Sequence, residues 1–63
     1  MRRKDFDEQI KKFEEGDTIT LHLRGMYDRY AVTGEFMKVD DRGFVYLDKG
    51  FAHSYRKIIA IRN

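Results

Sequence analysis

Sixty-three residues with no cysteine, no proline and a net charge of +2 hold one small core and leave no chain for a second domain. Disulfides and a Cys/His zinc site are excluded, because only His22 and His53 could contribute and they lie far apart. With 41% hydrophobic, 14% aromatic and 38% charged residues, the composition predicts a packed domain near the lower size limit, without disorder.

The chain begins with a helical pattern. Phe6, Ile10 and Phe13 recur at i, i+4 and i+7, which puts them on one face, while Asp7, Glu8, Lys11, Lys12, Glu14 and Glu15 fill the rest. Asp5 with Glu8 three residues later has the form of a capping box, and Gly16 stands where a left-handed residue ends a helix, so the spacing predicts a helix over about 5–15. After Gly16-Asp17 the period changes to two. Ile19, Leu21 and Leu23 alternate with Thr18, Thr20, His22 and Arg24, a strand with one buried face, and Gly25 ends it.

A second β-rich run from Tyr30 to about Val39 breaks its own alternation. Val32, Gly34 and Phe36 share a face and Val39 falls on the other, so a strand that buries both Phe36 and Val39 has to bulge between them. Asp40-Asp41-Arg42-Gly43 reads as a turn, with Asp40 accepting backbone N–H bonds. Phe44 to Asp48 alternates again, Val45 and Leu47 on one face, Phe44 and Tyr46 on the other, where packing under the helix is expected. Lys49-Gly50 is a further turn, Phe51–Tyr55 a fourth strand and Ile58–Ile61 a short fifth. The expected fold is mainly β with an N-terminal α-helix: a single domain over 1–63 whose residues from about 18 to 61 form a small five-stranded, bent antiparallel barrel of the SH3/Sm-like kind.

Charge is segregated along this order. Residues 1–4 carry +3, residues 5–17 carry −4, residues 18–48 carry −1 and residues 49–63 carry +4, the last block having Lys49, Arg56, Lys57 and Arg62 and no acid. An uncompensated positive strip near the end of the chain suits a phosphate-bearing partner. No apolar run approaches the length of a membrane span, and the basic start is followed by Asp5-Phe6-Asp7-Glu8 where a signal peptide needs an apolar stretch, so a cytoplasmic protein without membrane association is expected. The lone Ser54 and the two His have no neighbours that would activate a nucleophile, and Asp40-Asp41 lacks further ligands for a metal. No enzyme activity, metal or cofactor is therefore expected.

Gly34-Glu35-Phe36-Met37-Lys38-Val39-Asp40 has the spacing of the motif of the Sm-like proteins: glycine, a spacer, an apolar residue, two spacers, an apolar residue and aspartate. Together with Tyr55-Arg56-Lys57-Ile58-Ile59, similar to the Tyr-Lys-His tract before the last strand of the bacterial Hfq proteins, the pattern resembles that family from about Phe6 to Ile61. The resemblance implies a helix followed by five bent strands in a barrel, ring assembly, and RNA contact by Tyr55, Arg56 and Lys57, with Arg42 reaching the same nucleotide pocket. The sequence departs from the family where Lys57 replaces the histidine and Asp41-Arg42 replaces Gln-Phe. A longer first hairpin loop, Met26-Tyr27-Asp28-Arg29-Tyr30, is the other departure. The order of elements is also similar to a small Sm-like inhibitor of the terminator protein Rho, which binds protein, and to YolD-type domains.

The residues singled out for nucleic-acid binding are thus Tyr55, Arg56, Lys57 and Arg42, joined by Tyr27, Arg29 and Tyr30 from the hairpin, whose residue types favour stacking and recognition. His22 and His53 are expected on solvent-facing strand positions. The first expectation is a single-stranded RNA-binding module assembled as a ring through strand edges. A different class, a protein-binding adaptor or inhibitor using the acidic helix, is the second. A duplex-DNA binder would need more positive charge.

Overall fold

The computed structural model describes residues 1–63, and the order of elements is one helix followed by five strands. Helix α1 spans Arg3–Ile10, and strands β1 to β5 span Thr18–Arg24, Arg29–Val39, Phe44–Leu47, His53–Ser54 and Ile58–Arg62, with a 3-10 turn over Tyr55–Lys57 between the last two. All pairings are antiparallel in one five-stranded sheet of order β4-β3-β2-β1-β5. The sheet is open: β4 and β5 are its edges. No helix is long and apolar enough to cross a membrane.

β1 forms as its alternation dictates, Ile19, Leu21 and Leu23 each fully buried. β2 carries the expected bulge. Phe36 pairs with Leu47 and Lys38 with Tyr46, so Met37 is the extra residue, and both Phe36 and Val39 reach the core side. Gly34 permits the bend. A Cβ there would lie 2.6 Å from Asp48 Oδ1, the atom that accepts the Glu35 N–H at 2.8 Å and ties β2 to the end of β3. A second irregularity lies in the β1–β5 pairing, where Leu23 faces Ile58 but His22 faces Ala60. Skipping Ile59 turns both Ile58 and Ile61 inward despite their odd spacing. These join Phe6, Ile10, the three β1 residues, Phe36, Val45 and Leu47 in a single core that buries no polar side chain.

Several boundaries differ from the sequence expectation. The helix runs over Arg3–Ile10, not 5–15, and Arg2 precedes it with no side-chain cap, so the Asp5–Glu8 capping box does not form. Phe6 and Ile10 supply the buried face. Beyond Ile10 the chain tightens: Lys12 and Phe13 N–H donate to Gln9 and Ile10 carbonyls at 3.1 and 3.2 Å, which lets Phe13 reach the core without continuation of the α-helix. The Asp17 carboxylate then accepts the Glu14 N–H at 2.8 Å and closes a separate turn around Gly16. The first hairpin loop is Gly25–Asp28 only, because Arg24 pairs with Arg29 and Leu23 with Tyr30. The fourth strand shrinks to His53–Ser54, since Ser54 Oγ accepts the Arg56 N–H at 3.2 Å and starts the 3-10 turn at Tyr55. Phe51, expected in that strand, is 87% exposed.

Phe44 and Tyr46 stay outside the core. Each is half-buried beneath a cation, Arg42 at 5.1 Å from the Phe44 ring centre and Lys38 at 5.0 Å from that of Tyr46. The helix instead packs on the 3-10 turn, with the Phe6 and Tyr55 rings 5.7 Å apart. The Met1 amino group donates to the Ile58 carbonyl at 2.8 Å, tying the helix entry to the start of β5.

Candidate functional site

The Asp40–Gly43 turn, the 3-10 turn and the first helical residue converge at one place. Asp40 builds the first of these: its Oδ1 accepts the Arg42 and Phe44 N–H groups, each at 3.0 Å, and its Oδ2 accepts the Tyr46 hydroxyl at 3.1 Å. The Phe44 N–H does most to hold the Asp40 carboxyl below its ordinary value; the Tyr46 and Arg42 bonds add to this against a partial loss of hydration. Donating to that carboxylate correspondingly raises the Tyr46 hydroxyl. Gly43 then turns the chain with φ +84°, and its carbonyl accepts the Tyr55 N–H at 2.9 Å. A Cβ at Gly43 would lie 2.5 Å from Tyr55 Cδ1 and 3.1 Å from Arg3 Nη1. The glycine is the seat of the tyrosine ring.

Tyr55 lies between cations. The Arg3 guanidinium carbon is 5.3 Å and that of Arg56 5.9 Å from its ring centre, within the range where a ring quadrupole attracts a cation. Arg56 Nε donates to the Tyr55 hydroxyl over a long 3.5 Å. That bond, with the positive charge of Arg56 and Arg3, lowers the Tyr55 hydroxyl below its ordinary value, and the same bond raises Arg56. Arg3 is pinned, Nε to Asp7 at 3.1 Å and Nη2 to the Asp41 carbonyl at 2.9 Å. Arg42 has only a long 3.9 Å ion pair to Asp40, and Arg56 has no carboxylate partner.

The result is a pocket of about 370 Å³ lined by Arg3, Arg42, Phe44, Ser54, Tyr55 and Arg56. Two aromatic rings and three guanidiniums face one space, and none of the six is acidic. Such walls offer planar faces for a base and forked donors for phosphate. No cluster of three His, Asp or Glu side chains forms in the chain.

Of the residues singled out from the sequence, Tyr55, Arg56 and Arg42 therefore meet in one pocket. Lys57 points elsewhere, lining two neighbouring pockets with Tyr30. Arg29 lies on the outer sheet face, where it shares a shallow groove with His22 and Arg62. Tyr27 is at the hairpin tip, 96% exposed, and lines none of these pockets. His22 is exposed as expected. His53 is half-buried, and burial, with the nearby Lys57 charge, lowers its pKa. The exposed residues of α1 itself, Arg3, Lys4, Asp5 and Glu8, balance in charge, and the exposed acids Glu14 and Glu15 follow it.

Three wall residues, Arg3, Phe44 and Ser54, lie outside the set that the sequence singles out. In the sequence Arg3 is only part of a basic start; a helix beginning at Arg3, with Asp7 one turn on, is what aims it at Tyr55. The alternation of Phe44 with Val45 points to packing under the helix instead. No family model, curated protein or solved structure matches the chain.

Proposed function

We propose that this protein is a non-enzymatic, Sm-like module that binds single-stranded RNA in the pocket around Tyr55. The observation that carries the reading is the lining itself, three arginines and two aromatic rings with no carboxylate wall. A base stacks on Tyr55 or Phe44, and Arg56 and Arg42, the two guanidiniums least occupied by carboxylates, take flanking phosphates. In this reading the bent, open sheet is the counterpart of the small barrel of the Sm-like family. Its free β4 and β5 edges pair between copies into a ring, which repeats the pocket around an axis.

Fluorescence anisotropy with labelled hexauridylate at low salt tests the binding. The wild-type chain is expected to bind, and Tyr55→Ala to weaken binding by roughly 5–150-fold, the range of one stacked base. Arg56→Ala, at an exposed position, weakens it without disturbing the fold. Wild-type affinity retained in both folded variants would overturn the assignment.

A further inference from the structure

The Tyr55 pocket is not isolated. It shares Phe44 and Ser54 with a second pocket of about 390 Å³, whose other walls include Tyr30, Phe51, His53 and Lys57. That pocket in turn shares Tyr30 and Lys57 with a third, of about 460 Å³, bordered by Arg24 and Met26. No acidic residue lines any of the three. Each of the three holds both cations and rings: Arg42, Arg56, Tyr55 and Phe44 in the first, Lys57 with Phe51 and Tyr30 in the second, and Arg24 and Lys57 with Tyr30 in the third.

Phe51 is the residue that asks for an explanation. It is a phenylalanine held 87% exposed beside Gly50, and the neighbouring Tyr30 is 48% exposed, so each ring offers a bare face. Lys57 has no carboxylate partner. A largely exposed Phe beside an unpaired cation contributes nothing to the core and leaves apolar surface in water. Both facts fit one ligand chemistry, a planar base joined to a phosphate.

We infer that Phe51, Tyr30 and Lys57 form a second nucleotide subsite, so that the protein binds consecutive nucleotides along a track and not one nucleotide per chain. The inference rests on the reading of the Tyr55 pocket as a single-strand site. One base occupies the Tyr55 pocket, the next stacks on Phe51 or Tyr30, and Lys57 neutralises the phosphate at the second position. The charge complementarity of an acid-free groove favours nucleic acid over an apolar protein segment as the occupant.

Uridine monophosphate and hexauridylate separate the two claims, since uridylate has little self-stacking to mask the effect. Titrations followed by amide chemical shifts give both affinities. Hexauridylate is expected to bind at least tenfold tighter than the monophosphate. Phe51→Ala should cost the hexamer roughly 5–150-fold, one stacked base, and leave unchanged the monophosphate affinity read from the amide shifts of Tyr55 and Arg56. Tyr55→Ala should weaken both. Because Phe51 is exposed, its alanine variant keeps the fold. Hexamer affinity equal to that of the monophosphate, or unaffected by Phe51→Ala while Tyr55→Ala still acts, overturns the second subsite and leaves the first. Failure of both probes to bind overturns both readings. A drop in solution mass in Phe51→Ala, with binding per chain unchanged, assigns Phe51 to a contact between copies and likewise refutes the track.

Discussion

Gly43→Ala places a single methyl group where the fold and the site meet. Two costs arise. With φ +84°, an alanine at this position occupies a region that L-residues resist by about 1–2 kcal/mol. Its Cβ would also stand 2.5 Å from Tyr55 Cδ1 and 3.1 Å from Arg3 Nη1, so the ring and the guanidinium must both shift, an overpacking cost of about 1–3 kcal/mol. Together these come to about 2–5 kcal/mol, against a total stability of about 3–9 kcal/mol for a chain of this length. In a small domain each kcal/mol moves the melting temperature by about 4–8 °C, so a fall of about 8–40 °C is expected by circular dichroism. Gly50→Ala is the matched control, because Gly50 has φ +82° with nothing within 4 Å of the added Cβ. It carries the backbone cost alone. The difference between the two variants isolates the clash, and below the melting point Gly43→Ala should also lose RNA affinity because Tyr55 is displaced. Equal melting temperatures in the two variants would refute the seating of Tyr55 on Gly43.

The core and the Asp40 turn give two further expectations. Leu21 is fully buried at the centre of β1, so Leu21→Ala should cost about 2–5 kcal/mol and leave a visibly unfolded fraction at room temperature; a melting temperature within a few degrees of wild type contradicts this core. Asp40 is held below its ordinary carboxyl value chiefly by the Phe44 N–H, so the unfolded chain binds the proton first as pH falls. The stability it contributes is fully present above the unfolded pKa near 3.9 and is lost as pH drops through the lower folded value. Melting curves between pH 5 and pH 2 should therefore fall more steeply for wild type than for Asp40→Asn, and parallel curves would show that the carboxylate has no such role.

The sequence made the sheet legible where burial follows a simple period. Ile19, Leu21 and Leu23 announce β1, and the mismatch between Phe36 and Val39 announces the Met37 bulge because both side chains have to reach one core. Ile58 and Ile61 carry an equivalent mismatch, hidden inside an apolar run in which every position looked buriable; the Ile59 slip depends on its partner strand. The helix ends early for a tertiary reason as well. Phe13 reaches the core from a tightened turn, so the apolar stripe outlasts the helix. Ser54 diverts the fourth strand into a 3-10 turn through one side-chain hydrogen bond, and this exposes Phe51 and swings Tyr55 onto Gly43. For the site, Tyr55-Arg56 is legible as a ring beside a cation in a segment without acids, and Arg42 only through the resemblance to the Sm-like proteins. Their meeting with Arg3 and Phe44 is not, since it depends on where the helix begins and on how the Asp40 turn lies against the 3-10 turn. The same geometry separates Lys57 from its two sequence neighbours and gives it to Tyr30 and Phe51.

The most direct test of the central claim is the salt dependence of hexauridylate binding in wild type and Arg56→Ala. Each phosphate neutralised on a single strand contributes about −0.7 to the slope of log K against log salt, so contacts from at least Arg42 and Arg56 predict about −1.4 or steeper. Arg56→Ala should make the slope shallower by about 0.7. A slope near zero, or one that Arg56→Ala leaves unchanged, would contradict the account of the Tyr55 pocket as the place where RNA phosphate is held.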